Sequence, residues 1–376
     1  MIKVVLAVTN DIVTDNRIHK IAVTLQNSGY KVTVVGRKFS TSQNIFGRLY
    51  KTRRFKLWFN KSVLFYANYN MRLFFYLLKN KFDIIVSNDL DTLPGCWFAS
   101  IFKRELLVFD SHELFTELPE LVGRPVVKKI WSLLEKILLP RIKFGYTVSK
   151  PIQEYYKLKY NKDFELIRNV SLFRYEQSFK GFPDELIVIY QGSVNLGRGL
   201  GLMIDALNYL DGVKLWIVGQ GGILDDLKKL SIDKDVEDKV IFFGRISIDN
   251  LWRYTSQAHI GISLEEDLGL NYRYALPNKL FDYIQSRVPV IVSDLPEMSS
   301  LVGQYKIGRV LKERDPKVLA DTIKNMSADL NFHGELQKNL ELAARDLCWQ
   351  REEESVILLY RKVCGLILGQ NDVLNK

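Results

Sequence analysis

The sequence predicts an α/β fold of two doubly wound domains, each a parallel sheet with helices packed on it. Short apolar runs alternate with amphipathic helical patterns through most of the chain. The alternation stops at the Gly-Phe-Pro sequence of residues 181–183 and then begins again. At 376 residues the chain is also longer than one hydrophobic core usually supports. We therefore expect two domains that meet near residue 180.

The N-terminal half opens with a strand–helix–strand unit typical of an open parallel sheet. Residues 3–9 form an apolar strand, and residues 16–28 have helical spacing that stops at Gly29. Residues 31–36 form the next strand. The first connection reads Thr-Asn-Asp, so the glycine fingerprint of a dinucleotide-binding domain is absent.

Two later strands of this half end in polar side chains. Further helices are predicted at 61–80, up to 103, at 126–139 and from 149, and further strands at 82–87, 106–110 and 145–148. Asp89 and Asp91 follow the first of these strands, and His112 and Glu113 follow the second. Open α/β sheets bind ligands at the carboxyl ends of their strands, so these four side chains and Asp11 are candidate ligand contacts. His112 is suited to polarise a hydroxyl near neutral pH, and a purely structural role is the alternative.

The C-terminal half repeats the alternation. Its strands are predicted at 186–190, 213–218, 240–243, 260–264, 289–292 and 307–311, with helices between and after them that break near residues 332 and 349. The loops after residues 218 and 243 contain Gly219 and Arg245. Their glycines expose backbone donors and acceptors that fit a nucleobase, and plain tight turns are the alternative.

Two loops of this half carry a cation at the start of a helix. The segment YQGSVNLGRG, residues 190–199, joins a strand to a helix and includes Gly192, Ser193 and Arg198. In the second loop, Asn278 and Lys279 stand in the first turn of the next helix. Helix N-termini attract phosphate, so two such cations facing one crevice predict a diphosphate clamp. Two unrelated surface cations are the alternative.

The net charge of +10 is concentrated near the N-terminus. Between Asn16 and Phe82 there are fourteen Lys or Arg and no Asp or Glu. Within residues 37–66 the cations alternate with aromatic side chains, which favours docking on an anionic membrane surface. An ordinary solvated face is the second interpretation. Nucleic acid is the third, because no nucleic-acid-binding motif accompanies the stretch.

Composition excludes several other classes of protein. Residues 4–8 are too short for an export signal, and no apolar run reaches the length of a membrane span. The cysteines at 96, 348 and 364 have no metal-ligand or redox spacing, so we expect a reduced cytoplasm and no metal site. There is also no phosphate-binding P-loop and no serine or cysteine nucleophile in a recognisable turn.

Several motifs resemble those of the family 4 retaining glycosyltransferases, which have two Rossmann-like domains (the GT-B fold). They are SNDLDTL at 87–93, DSHELFTE at 110–117, TVSKPI at 147–152, YQGSVNLGRG at 190–199 and the stretch 271–296 around PNKLFDY. The likeness runs over nearly the whole chain and is strongest to bacterial members that build surface polysaccharides. It implies an acceptor domain at 1–180, joined by a terminal helix at 351–376 that crosses back, and a donor domain at 181–350.

The resemblance also implies residue roles. The family's diphosphate-binding lysine falls on Arg198, and its active-site histidine falls on His112. The arginine that precedes this lysine in the family falls on Ser193, so we expect Lys279 to supply the missing charge. The family's paired glutamates fall on Tyr274 and Asp282; Asp282 would hold the ribose hydroxyls, and Glu265 or Glu266 is the candidate for the other carboxylate.

The sequence therefore predicts a sugar transferase at the inner face of the cytoplasmic membrane. The resemblance implies a nucleotide-diphosphate-sugar as donor, a saccharide or lipid-linked saccharide as acceptor, and no cofactor or essential metal. The predicted catalytic residues are Arg198, Lys279 and His112; the predicted donor contacts are Gly192, Ser193, Gly219, Arg245, Asn278, Asp282 and Glu266; the predicted acceptor contacts are Asp11, Asp89, Asp91 and Glu113. A nucleotide-sugar 2-epimerase of the same fold and an inactive nucleotide-sugar-binding or scaffold protein are the alternatives.

Overall fold

A computed structural model describes residues 1–118, 121, 123–175 and 177–374 of the chain. The chain divides into two compact units, one of Met1–Asn169 with Glu352–Lys376 and the other of Val170–Arg351. The second unit thus begins earlier than the border expected near residue 180. The reason is that the connecting segment bonds to that unit: the Phe173 amide donates to Gln350 at 3.0 Å, and Ser171 donates to Asp282.

The N-terminal unit is built on a seven-stranded parallel sheet in the order β3-β2-β1-β4-β5-β6-β7. Its strands are Lys3–Ala7 (β1), Lys31–Arg37 (β2), Lys51–Phe55 (β3), Ile84–Asn88 (β4), Leu106–Ser111 (β5), Phe144–Thr147 (β6) and Glu165–Leu166 (β7). Its helices are Asn16–Asn27 (α1), Ser62–Lys79 (α2), Leu93–Lys103 (α3), Pro125–Leu138 (α4) and Lys150–Tyr160 (α5). The apolar runs of the sequence become the central strands because both faces of a parallel sheet are buried.

Strand β3 was not expected from the sequence. Its residues, KTRRF, are mostly charged and exposed, and only Phe55 is fully buried. Charged residues are common on edge strands, where they discourage pairing with another chain, so the polar composition conceals the strand. Phe55 belongs to the core, where its ring lies 5.9 Å from that of Tyr69.

The C-terminal unit is built on a six-stranded parallel sheet in the order β10-β9-β8-β11-β12-β13. Its strands are Leu186–Gln191 (β8), Val213–Val218 (β9), Val240–Gly244 (β10), Ile260–Ser263 (β11), Val290–Ser293 (β12) and Gly308–Leu311 (β13). Its helices are Leu200–Ala206 (α6), Leu224–Asp233 (α7), Ile248–Thr255 (α8), Leu270–Arg273 (α9), Asn278–Gln285 (α10), Pro296–Tyr305 (α11), Pro316–Ala328 (α12) and Leu330–Asp346 (α13). The two expected helix breaks lie at Asp329 and between Asp346 and Trp349.

The terminal helix α14, Trp349–Leu374, belongs to the N-terminal unit from Glu352 onward. Glu352 accepts hydrogen bonds at 3.0 Å from both the amide and the guanidinium of Arg168, and Thr24 of α1 donates to Glu353 at 3.1 Å. Tyr360 packs edge-on against Tyr30.

The strand order places one topological switch point in each sheet. The chain direction of the crossovers reverses between β1 and β4 in the first sheet and between β8 and β11 in the second. Open α/β sheets bind ligands outside the carboxyl ends of the strands at these points. A ligand site is therefore expected among the residues that follow β1, β4, β8 and β11.

Candidate functional site

At the carboxyl end of the second sheet, the loops after β8, β9 and β10 bond to one another. The Gly192 amide donates to Val218 at 3.0 Å, and the Gly219 amide donates to Gly244 at 2.8 Å. Gly219 has a φ of +156°, and a Cβ there would stand 1.8 Å from the Gly192 carbonyl oxygen. Only glycine permits the backbones of these two loops to come so close. Their amides and carbonyls therefore form a continuous backbone surface beside the switch point.

Glu265, directly after β11, is the centre of the charged residues at this end of the sheet. Its Oε1 accepts from Lys279 Nζ at 2.6 Å and lies 3.4 Å from Arg198 Nη1. Its Oε2 accepts from Ser263 Oγ at 2.7 Å. Glu265 is 1% exposed and Lys279 is 7% exposed, so this ion pair is shielded from water. The structure thus brings Arg198 and Lys279 together as expected, around a carboxylate that the sequence left undecided.

The electrostatics of this trio leave one net positive charge. Burial raises the pKa of Glu265, but Lys279 and Arg198 outweigh burial and hold that pKa below its ordinary value. Burial and the neighbouring Arg198 lower the pKa of Lys279, although Glu265 opposes them. An ionised Glu265 therefore keeps two cations close together that would otherwise repel each other.

Two tyrosines hold the cations in place. Lys279 Nζ lies 4.2 Å from the centre of the Tyr190 ring, and the Arg198 guanidinium carbon lies 4.9 Å from that of Tyr272. The Tyr190 hydroxyl donates to the Ser193 carbonyl at 2.6 Å, which fixes the loop at the position where the resembled family has an arginine. Aromatic faces attract cations, so these contacts reduce the mobility of both side chains.

Asp282 of α10 contacts the last residue of β8, at the start of the loop that contains Ser193. Its Oδ2 accepts from Gln191 Nε2 at 2.8 Å, and its Oδ1 accepts from Ser171. Gln191 in turn accepts from Thr255 at 2.6 Å. The predicted ribose contact is therefore already hydrogen-bonded within the protein, and ribose binding by Asp282 stays a prediction.

The other predicted donor contacts lie outside the largely buried group formed by Glu265, Lys279 and Arg198. Ser193, Arg245 and Asn278 are exposed. Glu266 is directed to Arg314 at 3.3 Å, away from the pair of cations. The sequence analysis missed Arg314, which donates to the Leu264 carbonyl at 3.0 Å and so supports the loop after β11.

In the N-terminal unit, His112 bridges two carboxylates after β5. Its Nε2 lies 2.9 Å from Asp110 Oδ2, and its Nδ1 lies 3.3 Å from Asp89 Oδ2. Burial lowers the pKa of His112, but the two carboxylates outweigh burial and raise it well above its ordinary value. The two carboxylates therefore favour the charged imidazole, and a catalytic role for His112 stays a prediction.

Asp110 also pairs with Arg17, a residue that the sequence analysis missed. Arg17 is 3% exposed and donates to both Asp110 oxygens, at 2.8 and 3.2 Å. Burial opposes ionisation, but Arg17 and His112 lower the pKa of Asp110 to about 2. A charged row of Arg17, Asp110, His112 and Asp89 thus crosses the carboxyl ends of the strands. Arg17 stands in an otherwise ordinary amphipathic helix, so the sequence offered no signal for it.

Of the remaining predicted acceptor contacts, Asp11 and Asp91 follow β1 and β4 at the switch point, and Glu113 follows β5. Asp91 accepts from Thr9 at 2.5 Å, while its buried Oδ1 has no hydrogen-bond partner. Burial and the neighbouring Asp89 raise the pKa of Asp91 to about 7. Asp11 lies 3.5 Å from Arg54, and Glu113 is exposed.

Within the described ranges, no group of three His, Cys, Asp or Glu side chains is arranged to hold a metal ion. No helix among the described residues is both long and apolar enough to cross a bilayer. The expectation that no metal is required stays a prediction.

Comparison with known proteins finds relatives that match part of the sequence and solved structures that match nearly the whole fold. Residues 174–346 match the family model described as Glycosyl transferases group 1. A curated relative, the alpha-monoglucosyldiacylglycerol synthase of Streptococcus pneumoniae (strain ATCC BAA-255 / R6), is 29% identical over 158 residues, which are 40% of this chain and 33% of that protein. The chain therefore matches about a third of that relative's length.

Solved structures resemble nearly the whole chain. The sucrose-phosphate synthase of Thermosynechococcus elongatus has a TM-score of 0.78 at 17% identity, over 97% of this chain and 100% of that one. Anabaena HepE in complex with UDP-glucose has a TM-score of 0.74 at 13% identity, over 96% and 100%. The fold is thus the two-Rossmann-domain GT-B architecture of glycosyltransferases, as the sequence predicted. The stretch that matches the group 1 glycosyl transferase model lies within the C-terminal unit.

Proposed function

We propose that this chain is a retaining glycosyltransferase that takes part in bacterial surface polysaccharide synthesis. It moves a sugar from a nucleotide-diphosphate-sugar, bound by the C-terminal unit, to a saccharide or lipid-linked saccharide bound by the N-terminal unit. The observation that carries this proposal is that Arg198 and Lys279 both pair with Glu265 at the switch point of the second sheet. The family match to the same unit supports it.

The chemistry follows from the charges. Cleavage of the sugar–phosphate bond leaves negative charge on the departing nucleoside diphosphate. Arg198 and Lys279 stabilise this charge more in the transition state than in the ground state, where Glu265 still binds them. We expect the acceptor hydroxyl to attack on the face that the diphosphate leaves, with the leaving phosphate taking its proton. This route retains the anomeric configuration without a protein nucleophile.

The charged row in the N-terminal unit has a positioning role in this proposal. His112 stays protonated because Asp110 and Asp89 flank it, so it acts as a fixed positive group rather than as a general base. Its two ring nitrogens are occupied by carboxylates, and its backbone is held by the 2.7 Å hydrogen bond from its amide to Asp89. The segment 110–113 is thereby rigid at the carboxyl end of β5.

A panel of nucleotide-sugars tests the function directly. A donor that binds the folded protein raises its melting temperature by mass action. The stabilising donor is then incubated with candidate acceptors, and proton NMR of the product gives the anomeric configuration. Retention supports the proposal. Inversion would contradict it, isomerised donor without acceptor would identify an epimerase, and binding with no turnover would identify an inactive binding protein.

We further propose that the N-terminal unit docks on an anionic membrane surface at the inner face of the cytoplasmic membrane. The predicted docking stretch is residues 37–66. Two of its aromatic residues, Phe55 and Phe65, cannot contact lipid because they are buried in the core. Phe46, Trp58 and Phe59 of the same stretch are exposed.

Three helices packed in series add exposed apolar side chains to this stretch. They are Val63, Leu64, Met71 and Phe75 of α2, Phe98, Ile101 and Phe102 of α3, and Val126, Ile130, Leu133 and Ile137 of α4. Phe74 of α2 contacts Phe102 of α3 with ring centres 5.8 Å apart, so the faces of these two helices are continuous. Exposed lysines on α4, at 129 and 136, supply charge complementary to anionic lipid.

Flotation with phosphatidylglycerol liposomes tests the membrane proposal. The double variant Phe102→Ser and Leu133→Ser is expected to lose flotation, and binding by the unchanged protein is expected to weaken as salt is raised. Leu158→Ser on α5 is the matched control, since Leu158 is also exposed but lies on a different helix. Equal flotation of all three proteins would reject this surface.

A further inference from the structure

Arg37, the last residue of β2, has a guanidinium group with two aromatic contacts and no hydrogen bond to any described residue. Its guanidinium carbon lies 3.9 Å from the centre of the Phe39 ring and 4.6 Å from that of Phe65. Its Nε is buried without a partner. Within the described part of the chain, no carboxylate lies within ion-pair distance of its nitrogens. Arg37 has no part in the diphosphate site of the C-terminal unit or in the proposed chemistry.

Three arginines of this protein that are more deeply buried than Arg37 do have a carboxylate partner. Arg17, Arg198 and Arg287 each reach a carboxylate, at 2.8, 3.4 and 2.8 Å respectively. A buried N–H that lacks an acceptor destabilises the fold. Burial lowers the pKa of Arg37, yet an arginine remains charged under any ordinary condition. The structure therefore maintains a fixed cation whose acceptor is absent from the described chain.

The backbone around Arg37 is fixed as firmly as its side chain. The Arg37 amide donates to the Asn10 carbonyl at 3.0 Å, and the next amide, of Lys38, donates to Phe55 at 2.8 Å. A Cβ at Gly36 would stand 2.7 Å from the same Asn10 carbonyl, so the loop after β1 passes close to β2 here. Arg37 is thereby anchored at the carboxyl edge of the sheet, where the acceptor is proposed to bind.

The charges facing Arg37 do not exclude an anion. Asp11 is engaged by Arg54 at 3.5 Å and by the amide of Val13 at 3.2 Å. Asp91 has a pKa raised to about 7, first by burial and then by Asp89, so much of it is uncharged at neutral pH. The surrounding stretch from Asn16 to Phe82 is basic throughout. A ligand oxyanion at this edge is attracted more than it is repelled.

We propose that Arg37 binds an oxyanion on the acceptor, a phosphate or a carboxylate group, with Phe39 and Phe65 holding the guanidinium in position. The proposal rests on the proposed function only in naming the acceptor as the carrier of that group. The planar guanidinium matches both oxyanions bidentately. Asp91, which follows strand β4 at the same edge of the sheet, has a buried Oδ1 without a hydrogen-bond partner among the described residues. The acceptor is thus an acidic molecule, such as a lipid-linked phosphate or an acidic sugar.

The test observes Arg37 itself rather than sugar transfer. The full chain is labelled with 15N-arginine, and its side-chain Nε–Hε signals are followed by transverse-relaxation-optimised NMR. The Arg37 signal is assigned by its loss in Arg37→Lys. Methyl phosphate and glucuronate are titrated separately, with glucose and equal ionic strengths of sodium chloride as comparisons.

We expect a saturable shift of the Arg37 signal with at least one of the two oxyanions and no shift with glucose or chloride. The stronger of the two distinguishes a phosphate-bearing acceptor from an acidic sugar. Arg309 is the internal control, because it lies 3.7 Å from the Phe332 ring but already pairs with Asp329 at 2.9 Å. An unmoved Arg37 signal, or one that moves equally with chloride, would overturn the proposal. Because donor binding is measured separately by thermal shift, that failure leaves the proposed function untouched.

Discussion

Lys279 Nζ donates to Glu265 Oε1 at 2.6 Å, in a pair that is almost fully buried. Removing one partner of such a pair leaves a shielded charge without compensation. Arg198, at 3.4 Å from the same oxygen, would then also face Lys279 without a carboxylate between them. Glu265 is therefore as important to the arrangement of the two cations as either cation is.

The first prediction concerns the variant Glu265→Gln. It should lower the free energy of unfolding by about 3 kcal/mol, because Lys279 and Arg198 lose their shared anion. Urea unfolding followed by circular dichroism measures the change. Glu266→Gln is the matched control and should cost less than about 1 kcal/mol, since Glu266 forms an exposed pair with Arg314 at 3.3 Å. Equal costs for the two variants would show that burial of the pair does not matter.

The second prediction separates binding from turnover. Arg198→Met and Lys279→Met should each reduce kcat by about 10²–10³-fold, because each removes charge stabilisation of the leaving diphosphate. The donor Kd, measured by titration calorimetry, should change much less. Lys228→Met on α7, which removes an exposed lysine, is the control and should leave both constants unchanged. Near-normal kcat in both site variants would rule out the clamp.

The third prediction concerns the charge of His112. A histidine whose pKa is raised in the folded state stabilises the protein below its unfolded pKa of about 6.5 and loses this contribution as pH rises through the folded pKa. NMR of the imidazole carbon-bound protons should show His112 protonated at pH 7.5. His259 is the internal control, because burial and Lys180 lower its pKa and it should be neutral there. A His112 signal that titrates near pH 6.5 would show that Asp110 and Asp89 do not govern it.

The fourth prediction concerns acid stability. Asp110 has a folded pKa of about 2 against an ordinary value of 3.8, so it stabilises the fold above pH 4, and this contribution is lost as pH falls from 4 to 2. Urea midpoints measured across this range should fall more steeply for the unchanged protein than for Asp110→Asn. Asp163→Asn, which alters an exposed carboxylate paired with Lys157, should keep the steep dependence. Parallel curves for the unchanged protein and Asp110→Asn would show that the lowered pKa of Asp110 does not contribute to acid stability.

The sequence predicts the strands of the fold more completely than it predicts the contacts of the site. Buried parallel strands read as continuous apolar runs, so β1, β2, β8 and β9 were found close to their observed ends. Strand β3 was missed because its exposed residues are charged, and the four-residue helix α9 is too short to show a period. These misses arise where tertiary position rather than local pattern decides the structure.

The site was only partly predictable for a related reason. The chemistry of Arg198 and Lys279 is visible in their loops, since cations at helix starts suggest phosphate. The partner of both is not visible, because Glu265 and Glu266 are adjacent and only the fold shows which one is buried. The burial of Asp110 within β5 likewise decides the charge of His112. Neighbours across strands change pKa values, and the sequence alone does not name them.

The last prediction concerns metal ions. Arg198, Lys279 and the ionised Glu265 together carry one net positive charge. If the diphosphate displaces Glu265 from the two cations, both cations can bind the diphosphate. Charge on the leaving group can then be offset by side chains, a task that Mg²⁺ performs in many phosphate sites. We expect kcat with the donor identified by thermal shift to be unchanged, within twofold, by excess EDTA. Lys279→Met in the same buffer should lower kcat with or without EDTA. Loss of activity in EDTA that added Mg²⁺ restores would show that the two cations are insufficient and that the donor requires a metal.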